Sequence, residues 1–268
     1  MAVVAAPSER PVVLSLDGIS LAFRGIVALD DVSLQIYQGE RLAIIGPNGA
    51  GKTSLFNCIS GVYRPQKGRI IFEGRDITAR PPHRVTALGV GRMFQNPALF
   101  DHLTTLENLL LGRHHLVSST WLHDLVWLGR TRSEEIAHRG AVERIIELLD
   151  LEAVRKTPVG ILPYGVLKRI ELGRALCMEP KLLLLDEPAA GLNQEETEDL
   201  ARYLLDIEEE LGITQVLIEH ELRFVLDLSD RVAVLDFGRK IAEGTPAEIA
   251  RDPAVIDAYL GGTSAEAG

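Results

Sequence analysis

The sequence predicts an α/β protein, a largely parallel sheet with helices on both faces and a helical segment inserted into it. Three observations predict this. Apolar runs of strand length alternate with helix-length segments beyond Pro180, a glycine-rich turn joins a strand to a helix at residue 46, and residues 98–160 switch to helical periodicity. Apolar strands linked by helices need both sheet faces covered, which is the arrangement of parallel sheets. With 268 residues the chain can bury a sizeable core.

Residues 1–11 read as a loose leader and residues 263–268 as a flexible end. Val12-Val13-Leu14-Ser15-Leu16, Val32-Ser33-Leu34-Gln35-Ile36 and Arg41-Leu42-Ala43-Ile44-Ile45 read as strands, with turns expected at Asp17-Gly18 and Gln38-Gly39. A short helix follows residue 51, with Leu55, Phe56 and Ile59 on one face and Gly61 as its stop. Arg69-Ile70-Ile71-Phe72 followed by Gly74 is another strand and turn. Within the helical stretch, Thr131-Arg132-Ser133-Glu134 fits a capping box ahead of Ile136, Ala141, Ile145 and Leu149. Strands are then expected at 181–185, 214–218 and 232–235, and helices at 194–211 and 222–228.

Composition narrows the function. Apolar residues are 46% and charged residues 25%, the profile of a soluble globular chain, and the formal net charge of −10 argues against a general nucleic-acid partner. No apolar run approaches the ~18–20 residues of a membrane-spanning helix. The opening residues carry no basic flank, so no secretory signal is expected. Cys58 and Cys177 sit among apolar helical neighbours and read as buried thiols in a reducing, cytoplasmic setting.

Gly46-Pro47-Asn48-Gly49-Ala50-Gly51-Lys52-Thr53 matches G-x-x-x-x-G-K-[ST] between a buried strand and a helix. Such a loop turns backbone N–H groups toward phosphate oxygens, and the helix N-terminus adds partial positive charge. Lys52 is expected to reach the β- and γ-phosphates and the Thr53 hydroxyl to ligate Mg²⁺. Leu182-Leu183-Leu184-Leu185-Asp186-Glu187 places Asp186 at the carboxyl end of an interior strand, where α/β proteins bind ligands. Asp186 would hold the Mg²⁺ shell and Glu187 would orient or deprotonate the attacking water. Alone, an acidic pair after an apolar run is more simply a solvated turn.

Further motifs occur in a fixed order: Phe94-Gln95, Leu162-Pro163-Tyr164-Gly165, Glu187-Pro188-Ala189-Ala190-Gly191-Leu192-Asn193 and Ile218-Glu219-His220. With the phosphate loop they resemble the ATP-binding subunits of ABC transporters, over residues 12–262. Arg169-Ile170-Glu171-Leu172-Gly173-Arg174-Ala175-Leu176 and the tail from Gly244-Thr245-Pro246 to Ala258-Tyr259-Leu260-Gly261 are similar to the branched-chain amino acid importer type. Urea and amide importers use similar ATPases.

The resemblance implies a P-loop NTPase core with an N-terminal antiparallel β subdomain, formed by residues 12–97 and 161–250, and a helical subdomain over 98–160. It implies ATP and Mg²⁺ as cofactors, with Gly46, Pro47, Asn48, Gly49, Ala50, Gly51, Lys52, Thr53 and Ser54 around the nucleotide. Gln95 corresponds to a glutamine that contacts Mg²⁺ or water. His220 corresponds to a histidine at the γ-phosphate, and Glu187, His220 and Lys52 form the catalytic set. Phe23 aligns with an aromatic that stacks on adenine, a packed core Phe being the other reading.

The implied partners are a second ATPase subunit, two membrane permease subunits and, indirectly, a periplasmic solute-binding protein. The implied location is peripheral, on the cytoplasmic face of the membrane. Pro163, Tyr164, Gly165 and Val166 stand where the family has a Leu-Ser-Gly-Gly-Gln signature that acts on the partner's ATP. The serine is missing, which leaves backbone N–H groups near Gly165 and Val166 and implies that the partner's site turns over more slowly.

Leu116, Trp121, Leu122, Leu125, Val126, Trp127 and Leu128 either pack within the helical subdomain or touch a membrane subunit or the bilayer surface. Two alternatives stand beside transport: an ABC-type ATPase with no transporter, and another P-loop phosphotransferase. The first usually has two cassettes in one chain or long coiled coils. The second would leave Pro163, Gly165 and His220 without a role.

Overall fold

Alternation within short apolar strands decides the architecture. The computed structural model describes residues 10–95, 97–113 and 130–261. A first sheet, in the order β2-β1-β4-β5, is built from β1 (Val12–Phe23), β2 (Ile26–Tyr37), β4 (Lys67–Phe72) and β5 (Arg75–Asp76), all antiparallel. A second sheet has the order β10-β9-β3-β8-β7-β6. Its strands are β3 (Arg41–Ile45), β6 (Val90–Met93), β7 (Leu182–Asp186), β8 (Thr214–Ile218), β9 (Arg231–Asp236) and β10 (Arg239–Gly244), parallel except for β10. These two sheets and the helices around them match the α/β fold class expected from the sequence.

Successive residues of the second sheet point to opposite faces, and both faces are buried. Ala43, Ile45, Leu183, Leu185, Leu217, Val232 and Val234 join one core. It is completed by helices α3 (Thr105–Gly112), α4 (Arg130–Leu148), α5 (Tyr164–Leu176), α6 (Gln194–Leu211), α7 (Leu222–Leu228), α8 (Pro246–Ile249) and α9 (Pro253–Gly261). Leu42, Ile44, Leu182, Leu184, Val216, Ile218, Ala233 and Leu235 join the other core, with the first sheet, α1 (Lys52–Ile59) and α2 (Pro82–Thr86). Cys58 and Cys177 are buried free thiols, one in each core, and burial pushes both up to about 12.

Several elements differ from the sequence reading. Asp17-Gly18 is not a turn. It lies inside β1, where the pairing shifts register between Leu16 and Ile19, so the strand bulges and continues. The turn falls instead at Arg24-Gly25, with φ of 48° and 92°, the two positive angles of a tight hairpin. Phe237-Gly238 (φ 41° and 79°) does the same between β9 and β10, a strand the hydrophobic pattern does not reveal. In the inserted stretch, the capping box lies on α3, where Thr104 and Glu107 exchange side-chain to backbone hydrogen bonds. Thr131 lies within α4, whose start falls beside residues outside those described. The apolar segment from Leu116 to Leu128 also lies outside the described residues. Among the described residues, no helix is long and apolar enough to cross a membrane.

Where β3 ends, the chain passes very close to β9. Gly46 has φ +148°, and a Cβ there would sit 2.0 Å from the carbonyl oxygen of Leu235. Gly49 also has a positive φ, +82°, but faces open space. Gly46→Ala should therefore cost on the order of 2–4 kcal/mol in urea unfolding, through strain and a backbone clash. Gly49→Ala should cost only about 1–2 kcal/mol, the left-handed backbone penalty. Equal losses in the two variants would refute this account of the loop.

Candidate functional site

The carboxyl ends of β3, β6, β7 and β8 open on one edge of the sheet. From β3 the loop 46–51 runs directly into α1, whose N-cap, Gly51, is left-handed at φ 102°. No side chain caps this end, so its first amides are available to an anion. The loop is held from outside: Gly238 N–H donates to Ala50 O (3.0 Å) and Asp30 N–H donates to Gly238 O (2.8 Å). This ties the loop to the hairpin that carries Phe23. Phe23 is 42% exposed and edge-on to Tyr63, ring centres 5.1 Å apart, so it is not the core Phe of the alternative reading. The Lys52 ammonium folds over the loop and donates to Gly46 O (2.7 Å) and Pro47 O (3.0 Å). Burial pulls its pKa below the ordinary lysine value, opposed by the negative charges of Glu187 and Asp186.

Three strand ends bring up the remaining groups. Met93 pairs with Leu185 and Asp186 with Ile218, so Phe94-Gln95, Glu187 and Glu219-His220 leave the sheet side by side. Glu187 has φ +50°, uncommon for a residue with a long side chain, and its N–H donates to Ile218 O (3.0 Å). Its carboxylate is held from both sides. Gln95 Nε2 donates to Oε2 (2.5 Å) and His220 Nε2 donates to Oε1 (2.7 Å). Lys52, Gln95, Asp186, Glu187 and His220 are thus brought together.

Sequence reasoning missed the groups that support these five. Arg92 Nη2 donates to Asp186 Oδ2 (2.7 Å), both side chains being 8% exposed. Its Nη1 donates to both Asn57 Oδ1 (2.7 Å) and Ser60 Oγ (3.0 Å), on α1 and the following turn, and its guanidinium lies 4.8 Å from the Phe94 ring centre. The available signal was a lone arginine in an otherwise apolar strand. Lys168, on α5, is 1% exposed and donates to Gln95 O (2.9 Å) and Glu187 O (3.2 Å). Two further residues whose charges act on Lys168 are buried acids, Glu219 and Glu171. Glu219 accepts from Ala189 N–H (2.8 Å) and His220 N–H (3.2 Å), and burial raises its pKa despite those bonds. Glu171 accepts from Phe94 N–H (3.3 Å), while its Oε2 has no hydrogen-bond partner.

The start of α5 is also set by packing. Pro163 is its N-cap and makes no side-chain cap bond, and Val166 N–H already donates to Pro163 O (3.0 Å). The open amides of the first turn therefore belong to Tyr164 and Gly165 rather than to Val166. Gly165 is buried against Glu196: a Cβ on it would meet Glu196 Oε1 at 2.2 Å.

A glycine loop cradling a helix N-terminus, with a lysine over it and carboxylates at the neighbouring strand ends, defines a P-loop nucleotide-binding protein. The ABC transporter family model matches residues 29–190, and that of the branched-chain amino acid ATP-binding cassette transporter matches residues 239–265. The chain is 38% identical over 253 residues to the high-affinity branched-chain amino acid transport ATP-binding protein BraF of Pseudomonas aeruginosa, covering 94% of this chain and 99% of that one. It is 37% identical over 251 residues to LivG of Escherichia coli K12, covering 92% and 97%. Among solved structures, a nucleotide-free ATP-binding cassette from an ABC transporter matches with TM-score 0.81 and 34% identity, over 93% of this chain and 99% of that one. The ADP conformation of the cassette MJ1267 matches equally well, at 0.81, 33% identity and 94% and 99% coverage. The chain belongs to the ATP-binding family of ABC transporters, whose members are ATPases that bind nucleotide at this fold.

Burial pushes the Glu171 carboxyl from 4.5 up to about 7, opposed by the Phe94 N–H and the charges of Arg174 and Lys168. A raised carboxyl pKa means that the folded state holds the proton longer than the unfolded chain. Stability from this group is then lost as pH rises through that window. Wild type should lose on the order of 1–2 kcal/mol relative to Glu171→Gln between about pH 5 and pH 8. Parallel pH–stability curves for the two proteins would count against it.

Proposed function

We propose that this chain hydrolyses ATP to drive an importer of branched-chain amino acids or related small amides, at the cytoplasmic face of the membrane. The observation that carries the reading is the meeting of Lys52, Asp186 and Glu187 at one sheet edge. The whole-length similarity to transport ATP-binding proteins supports it. That similarity also leaves the non-transport ATPase and the phosphotransferase without support.

In this reading residues 12–262 act as one ATPase unit, with 12–97 and 161–250 as the nucleotide-binding core and 98–160 as its helical subdomain. Phe23 stacks on adenine. The backbone of Gly46, Pro47, Asn48, Gly49, Ala50 and Gly51, with Lys52, Thr53 and Ser54, wraps the phosphates. Mg²⁺ would be held by Thr53, Asp186 and Gln95, and when bound it would neutralise charge on the phosphate oxygens. The donor set fits a hard cation, because Arg92 occupies only Oδ2 of Asp186 and Oδ1 has no partner among the described residues. Glu187 takes a proton from water as its oxygen bonds the γ-phosphorus and the bond to the ADP oxygen breaks. His220 steadies the γ-phosphate. Pro163, Tyr164, Gly165 and Val166 face ATP on a second ATPase subunit. Two permease subunits transmit closure to the membrane, and a periplasmic solute-binding protein delivers the solute.

Glu187→Gln should keep Mg-ATP binding within about threefold and lose about 100-fold or more in turnover. Lys52→Ala should weaken binding itself. Filter binding and phosphate release by the purified proteins separate these outcomes. Undiminished turnover in Glu187→Gln would mean that another group is the base.

A further inference from the structure

We propose that Lys168 is a positioning residue for hydrolysis, its buried ammonium holding the backbones of Gln95 and Glu187 so that their side chains meet. The proposal rests on the reading of Glu187 as the base. The geometry is a closed ring. Glu187 Oε2 accepts from Gln95 Nε2, Gln95 O accepts from Lys168 Nζ (2.9 Å), and the same Nζ donates to Glu187 O (3.2 Å). The ammonium therefore ties the two segments behind the point where their side chains join in front.

Burial makes this arrangement costly unless it does something. Lys168 is 1% exposed, and an ammonium taken out of water must find acceptors and opposite charge. Burial pulls its pKa down, while Glu171, Glu219, Glu187 and Asp186, in that order, hold it up. An apolar side chain of similar length would fill the same space without that cost, but it would supply no donor to either carbonyl. Glu187 needs holding, because at φ +50° its backbone occupies a conformation that a long side chain rarely adopts. Its carbonyl is otherwise met by Ala190 N–H (3.2 Å), a bond of the following turn.

The position of Lys168 gives the tie a second consequence. It stands four residues after Tyr164, on the same face of α5 (Tyr164–Leu176), with its ammonium 5.9 Å from the Tyr164 ring centre. The helix start expected to face a partner's nucleotide is thereby linked to the base in its own chain. Arg174, further along α5, donates to Ala98 O (2.5 Å), and Glu171 accepts from Phe94 N–H, so the segment around Gln95 is held to this helix at three points. A shift of α5 would carry Gln95 and Glu187 with it.

The test compares the full-length chain with Lys168→Met and Lys168→Arg. Thermal unfolding checks that each variant is folded. Hydrogen exchange is then followed in peptides spanning 93–98 and 186–191, together with Mg-ATP binding and steady-state turnover. Lys168→Met should exchange about fivefold faster in both peptides and lose about tenfold or more in kcat, with KM for ATP within about threefold. Lys168→Arg, which retains charge and donors, should restore both to within about threefold of wild type. If Lys168→Met does not fold, Lys168→Gln, a shorter uncharged donor, takes its place in the comparison. Unchanged exchange, or a loss of ATP binding in step with turnover, would overturn the proposal. A wild-type chain that binds Mg-ATP and never hydrolyses it would fault the ATPase reading instead, and exchange alone would then decide the role of Lys168.

Discussion

The site depends on the register of a parallel sheet that is buried on both faces. Met93 faces Leu185, Asp186 faces Ile218, and Ile44 also pairs with Ile218, so four strands give out at nearly the same level. A slip by one residue would move Leu183 and Leu185 into the core now filled by Leu182 and Leu184. It would also shift Glu187 away from Gln95 and His220. Because each face packs against its own set of helices or strands, the slip is opposed from both sides. The precision of the polar edge is thus set by apolar residues that never touch it.

Charge is the second constraint, and it works against burial. Asp186, Glu171, Glu219, Lys52 and Lys168 are all buried, and Arg92 is nearly so. Each would destabilise the fold alone, yet every one has a charged or hydrogen-bonding neighbour, and the neighbours interlock. Arg92 joins Asp186 to α1, so the strand before Gln95, the acid that ends β7 and the helix after the phosphate loop share one cation. Lys168 does the same for Gln95, Glu187 and α5. Two cations thus bind together the parts of the site that the sheet has only brought near. Removing a carboxylate in such a network leaves a stranded charge, which costs more than the pair contributes when intact.

What was legible in the sequence follows from this division. The phosphate loop is contiguous and needs only its own eight residues, so motif and context revealed it. Residues 41–45 and 214–218 were readable as strands to the residue, since short apolar runs between turns admit few alternatives. The cations were not readable. Arg92 meets Asp186 across 94 residues of chain and Lys168 meets Gln95 across 73, and no local periodicity encodes either pairing. The hairpin turns were missed for a different reason: Arg24-Gly25 and Phe237-Gly238 lack the Asn or Asp that marks such turns, and tertiary packing chose their place. Asp17-Gly18 had the turn composition and was drawn into a long strand with a bulge, because both of its flanks pair with β2 and β4.

The start of α5 shows how packing can aim a helix end that no side chain caps. No serine or threonine stands at the N-cap of α5, where Pro163 offers only a fixed φ and a carbonyl. Proline at that place suits an N-terminus, since it keeps the chain extended before the helix begins. Gly165 lets Glu196 approach so closely that no side chain fits between them. Glu196 is itself fixed by its capping box with Asn193, at the head of α6. The ring of Tyr164 lies against Gly191 in the turn after β7, where a Cβ would meet Cε1 at 3.0 Å. The first amides of α5 are therefore aimed by the turn that follows Glu187 and by the head of α6. Their direction is a property of the sheet edge, so the Glu187 carboxylate and the open helix end are set by the same elements. Any partner nucleotide that meets those amides meets a surface whose orientation already depends on how Glu187 is held.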